Sequence, residues 1–146
     1  MHAMSHREHA TSTDRQWAAG THVAALVLAL LTSWPAGFAG MLAAGVVYLL
    51  KRDEAPFVAA HAREAFNFNL SMFLYACAVC VAGLLLLGAT VLTLGIGLIV
   101  TLPAGLALLV AVAAIAVMWL VCSIVAATKA WNGEEYRYPL TLRLLG

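Results

Sequence analysis

Residues 65–128 read AFNFNLSMFLYACAVCVAGLLLLGATVLTLGIGLIVTLPAGLALLVAVAAIAVMWLVCSIVAAT, 64 consecutive positions without Asp, Glu, Lys or Arg. As a single helix at 1.5 Å per residue the stretch would extend about 96 Å, three times the hydrocarbon thickness of a bilayer. It must fold back on itself. Gly95-Ile96-Gly97 and Thr101-Leu102-Pro103 mark the bend, because Gly and Pro are the strongest local punctuation. A second uncharged stretch, residues 16–50, is too long for one upright crossing and just long enough for two short ones. Ser33-Trp34-Pro35-Ala36-Gly37 interrupts it. Helices are therefore expected at about 16–33, 37–50, 65–94 and 104–129. The second is short enough to be either a tilted crossing or a re-entrant element.

Composition agrees. Of 146 residues 64% are hydrophobic and 10% charged, and the mean hydropathy is +0.93. About 25% charge is usual for a soluble domain, so a free-standing soluble globule is excluded, and so is disorder. A net charge of +1 offers no basic excess for nucleic acid. The expected fold class is an all-α integral membrane protein, a four-helix transmembrane bundle with an interfacial extension before the third helix. Residues 1–14 are expected to form a flexible tail and residues 15–146 a single transmembrane domain, with 130–146 as its cytoplasmic C-terminal segment.

The charges fall in three clusters: Arg7 to Arg15, Lys51 to Glu64, and Lys129 to Arg143. Four crossings place all three, and every Lys and Arg, on one face. By the positive-inside rule that face is cytoplasmic, with both termini on it. Trp17, Tyr48, Trp131, Tyr136 and Tyr138 stand beside the clusters as an interfacial belt, while Tyr75 and Trp119 read as helix-packing residues deeper down. A cleavable signal peptide ending near Ala36-Gly37-Phe38-Ala39 is the rival reading of the N-terminus, but the apolar stretch resumes directly afterwards.

The polar residues of 53–71 are the most informative. Asp53 is a candidate N-cap with Pro56 in the first turn. His61, Glu64, Asn67 and Ser71 then recur at helical spacing as a stripe that runs from the interface into the bilayer. Such a stripe acts either as hydrogen-bonding glue between helices or as a site for an ion, a proton or a polar substrate. His22, at comparable depth on the first helix, is expected to hydrogen-bond to the 64–71 stripe. The small residues Gly40, Ala44 and Gly45 and their neighbours permit close packing, so the second helix is expected to be enclosed. His61 with Glu64 would supply two metal ligands, but nothing completes a set, and no metal or cofactor is expected. Cys77-x-x-Cys80 and Cys122 lie in apolar runs, where thiolates are disfavoured. No nucleophile-base constellation, P-loop or dinucleotide fingerprint is present, so no enzyme is expected. After the fourth helix Asn132-Gly133 reads as a cap and turn, and Pro139 blocks resumption of a helix. Glu134, Glu135, Tyr136, Arg137 and Tyr138 then form an extended piece on the cytoplasmic surface, placed to pair Glu134 or Glu135 with Lys51, Arg52 or Arg63.

Three blocks carry a family resemblance: Arg15-Gln16-Trp17-Ala18 with His22; Lys51 to Val58 through His61, Glu64, Asn67 and Phe68; and Ala126-Ala127 through Pro139. The chain resembles a bacterial membrane family of unknown function that is distantly similar to the twenty-kilodalton inner-envelope subunit of the chloroplast protein-import translocon. Ala62 stands where that family often has Gly. The resemblance implies four membrane helices with cytoplasmic termini, and through the plastid relative a part in a protein-conducting path. The expectation is a small inner-membrane accessory or scaffold subunit. It would act through a cytoplasmic face formed by residues 51–64 and 132–143, with His22, His61, Glu64, Asn67, Ser71, Asn132, Glu134, Tyr136 and Arg137 as its polar and interaction cluster. Its partners would be the lipid bilayer and a membrane protein or further copies of itself. The alternative is an oligomeric channel or translocation component.

Overall fold

Four helices account for nearly all of the computed structural model, which describes residues 10–32 and 36–145: α1 (Ser12–Thr32), α2 (Ala36–Lys51), α3 (Pro56–Leu92) and α4 (Leu98–Trp131). Of the expected N-terminal tail, residues 1–9 lie outside the described residues, as does Ser33-Trp34-Pro35. Helix α1 starts earlier than expected because Thr11 caps it. The Thr11 backbone N–H and hydroxyl both donate to Asp14 Oδ2, and Asp14 N–H donates back to Thr11 Oγ1.

Helix α3 is continuous over 37 residues, so the interfacial extension and the third membrane helix are one element. Asp53 is not its cap. Ala55 holds that position without a side-chain hydrogen bond, and Pro56 with its fixed φ starts the helix. The chain reverses at Thr93–Gly97, where Gly95 takes a left-handed φ of +86° and Gly97 N–H is capped by Thr93 Oγ1. Helix α4 begins at Leu98, six residues before the expected start, and Pro103 lies inside it. That proline is the sixth residue of the helix, past the first turn, so its missing N–H forfeits the bond to the Ile99 carbonyl while the helix continues through it.

Helices α3 and α4 form an antiparallel hairpin. Thr90 and Thr101 share a hydroxyl hydrogen bond at 2.7 Å near its tip, and Phe68 and Met72 pack on Cys122 and Ala126 near its base. Both helices are long and apolar enough to cross a membrane. At 1.5 Å per residue α3 extends about 55 Å, longer than a hydrocarbon layer of about 30 Å. Helices α1 and α2 cover only its first half. Gly37 packs on the backbone of Asn69 and Phe73, and Phe38 lies against Phe73. Beyond that level Leu84, Leu85, Leu92 and Leu109 are exposed apolar side chains.

Small residues set these approaches. Ala18 and Ala19 of α1 meet Ala130 of α4, and Gly40 of α2 leaves no space for a Cβ beside Asn69 Oδ1. Helix α2 is not fully enclosed as expected. Gly37, Gly40 and Ala44 are buried, but Leu42, Val46 and Leu49 on its other side are exposed, because no other element among the described residues covers them.

Candidate functional site

At Asn132 helix α4 ends, and Gly133 at φ +77° turns the chain back along α3. Residues 134–145 are mostly exposed, but they do not stop at the 51–64 turn as expected and instead run on along α3 as far as Tyr75. They form a strap that descends beside α3, turns at Pro139–Leu140 and returns. Going down, His61 Nε2–H donates to the Glu134 carbonyl at 3.1 Å, and Tyr138 N–H donates to Glu64 Oε2 at 3.3 Å. At the turn, Tyr75 Oη–H donates to the Leu140 carbonyl at 2.7 Å. Coming back, Leu142 N–H donates to Ser71 Oγ at 2.8 Å, and Leu144 and Leu145 N–H both donate to Asn67 Oδ1. Asn67 Nδ2–H in turn donates to the Leu145 carbonyl. Glu64 links the two limbs, since its other oxygen accepts from Arg143 Nε at 3.3 Å.

The purpose of the polar stripe follows from this geometry. An irregular segment has no helix or sheet to satisfy its backbone, so partners must come from adjacent protein or from water. His61, Glu64, Asn67, Ser71 and Tyr75 supply them. Tyr75, read from sequence as packing, therefore has a hydrogen-bonding task. Its spacing of four from Ser71 was the available signal.

Behind the strap lies a second chain of bonds. His22 Nε2 is 3.0 Å from His61 Nδ1, and His22 Nδ1 is 2.9 Å from Tyr138 Oη. A carbonyl can only accept, so His61 carries its proton on Nε2 in the neutral form. Its Nδ1 then accepts from His22 Nε2–H, and His22 Nδ1 accepts from the Tyr138 hydroxyl. All three side chains are buried, and the Tyr138 ring stacks on Phe68 with centroids 3.9 Å apart. The expected bond from His22 to the 64–71 stripe is thus replaced by bonds to His61 and Tyr138. Tyr138 leaves the interfacial belt for the core because its hydroxyl finds a partner there. Burial raises the pKa of the Tyr138 hydroxyl above its ordinary value against a smaller opposing pull from Ser123. Burial, with the Cys122 thiol beside it, pushes Tyr136 up to about 12.

The remaining expected site residues sit apart. Asn132 caps α4, Arg137 is exposed, and Glu134 bears its side chain on the surface. Glu134 pairs with Lys129 rather than with the 51–64 turn, where Lys51 holds Glu54 and Arg52 holds Asp53. Neighbours in sequence satisfy these charges with less chain ordering than distant partners would require. Lys51 also lies 5.3 Å from the Trp17 ring centroid. Among the described residues no group of three or more His, Cys, Asp or Glu side chains is placed to hold a metal ion.

The sequence profile of the magnetosome magnetite crystal formation protein family, MamF/MmsF, matches residues 13–145. That range takes in all four helices and the strap with its stripe. Comparisons with curated proteins and with solved structures give no match, and nothing in them supports the resemblance to the chloroplast translocon subunit. The match spans the great majority of the 146 residues, and the chain belongs to the MamF/MmsF family of bacterial membrane proteins.

Proposed function

We propose that the chain is a multi-pass accessory protein of magnetite crystal formation, acting by contact through the charged end of its bundle rather than by passing a solute. In this reading all four helices enter the bilayer, α2 as a short crossing of about 24 Å. The Lys51–Glu64 and Lys129–Arg143 clusters face the cytoplasm with both termini, and the protein reaches its membrane by way of the inner membrane. Its partner is another membrane protein or further copies of itself, and it catalyses no reaction.

One observation carries the choice against a channel or a translocation component. The polar groups that a membrane path would need, on Glu64, Asn67 and Ser71, are bonded to the protein's own strap. The exposed charges left for recognition lie at the helix ends, where Arg52, Asp53, Glu54, Glu135 and Arg137 are on the surface.

The experiment is complementation of a magnetite-forming bacterium that lacks the gene, with crystal size read by electron microscopy. Charge reversal at Arg52 and Arg137 is expected to shift the size distribution while the protein stays in the membrane. Wild-type crystals from that variant, together with iron flux into liposomes containing the purified protein, would overturn the reading in favour of a channel.

A further inference from the structure

The strap's return limb has two unlike sides. Leu140, Leu142 and Leu144 are 71%, 45% and 68% exposed, whereas Thr141 and Leu145 are half-buried and Arg143, between Leu142 and Leu144, is exposed with its Nε turned to Glu64. The main-chain donors of Leu142 and Leu144 turn the other way, toward Ser71 and Asn67. An apolar ridge over a backbone whose hydrogen bonds point inward is the arrangement that hydrocarbon permits and water does not require. Depth agrees. The turn at Leu140 is fastened to Tyr75, eleven residues along α3 from Glu64, or about 16 Å at the helical rise. The ridge is also continuous in character with its surroundings, since Leu74 beside Tyr75 and Val121 on α4 are exposed apolar residues of the two long helices.

We propose that the C-terminal strap is a re-entrant membrane element inserted into the leaflet on the charged side, with Leu140, Leu142 and Leu144 against lipid acyl chains. The proposal rests on reading α3 and α4 as membrane-embedded. Arg143 does not oppose it. Its Nε is held by Glu64, and its long stem lets the rest of the guanidinium reach toward the headgroups. The inserted ridge fastens the charged end of the bundle to the bilayer at a third place besides the helices. It also gives the strap a reason to carry leucines at alternate positions.

The test uses the full chain with Cys77, Cys80 and Cys122 replaced by Ala. Single cysteines are introduced as Leu142→Cys, Leu144→Cys, Leu92→Cys or Glu135→Cys. Each is labelled with an environment-sensitive fluorophore and reconstituted into liposomes of phosphatidylcholine and phosphatidylglycerol. Labels at 142 and 144 are expected to emit blue-shifted light, to be quenched by doxyl-labelled lipid as the label at 92 is, and to resist aqueous iodide. The label at 135 is expected to do the reverse. Iodide quenching at 142 and 144 with lipid quenching intact at 92 would overturn the proposal alone. So would insensitivity of 142 and 144 to both quenchers, which would mean that another protein surface covers the ridge. Failure of lipid quenching at 92 as well would remove the membrane reading beneath it.

Discussion

Asn67 gives its whole side chain to the strap, two acceptor bonds to Leu144 and Leu145 and one donor bond to the Leu145 carbonyl. Asn67→Ala leaves two N–H groups and a carbonyl without partners away from water. Thermal unfolding in detergent should register a loss of about 1–3 kcal/mol. Asn67→Asp keeps the acceptors but sets a carboxylate oxygen against the Leu145 carbonyl in a buried position one turn from Glu64, so it should cost at least as much. Tyr138→Phe retains the stack on Phe68 but leaves His22 Nδ1 without its donor, at a cost of about 1 kcal/mol in the same assay. Tyr136 makes the strap sensitive to alkali. Its hydroxyl ionises near pH 12 in the fold and near 10 when unfolded, so the fold favours the protonated form. The resulting stability is complete below about pH 10 and is lost as pH rises through 12. Tyr136→Phe should abolish that part of the alkaline loss, read by circular dichroism against pH.

Among the elements, the close approach of α2 to α3 depends on Gly40. A Cβ there collides with Asn69 Oδ1, which is buried and accepts no hydrogen bond among the described residues. Gly40→Ala should therefore destabilise by about 1–3 kcal/mol, as overpacking does, and Gly40→Ala with Asn69→Ala should recover part of the loss. The capping residues make a sharper pair. Thr11→Ala removes a reciprocal cap and should cost about 1 kcal/mol, whereas Asp53→Ala should cost little. The sequence alone offered Asp53 as a cap and left Thr11 within the tail. Asp53 has the right chemistry at the right distance from Pro56, but proline's fixed φ starts α3 at Pro56 and leaves Ala55 at the cap. Pro103 misled in the same way. It lies inside α4 at the sixth residue, and the helix runs through it with one backbone bond forgone, so it marked no boundary.

Across the whole molecule, the two long apolar helices, the turn at Gly95 and the helical spacing of His61, Glu64, Asn67 and Ser71 were legible. Uninterrupted hydropathy and period leave few alternatives. What the stripe is for was not legible. Its partners are backbone atoms more than seventy positions away, and backbone atoms leave no mark in side-chain pattern. Charge alternation in Glu134–Tyr138 suggested a surface strand, and the alternating leucines after Pro139 were the overlooked sign of an element facing two environments. The central claim is that the stripe holds a strap and lines no path. Hydrogen exchange of the strap amides in lipid nanodiscs, followed by mass spectrometry, tests it most directly. The amides of Tyr138, Leu142, Leu144 and Leu145 should exchange slowly in the wild type, and those of the return limb should speed up in Asn67→Ala/Ser71→Ala. Exchange at free-peptide rates in the wild type would contradict the account.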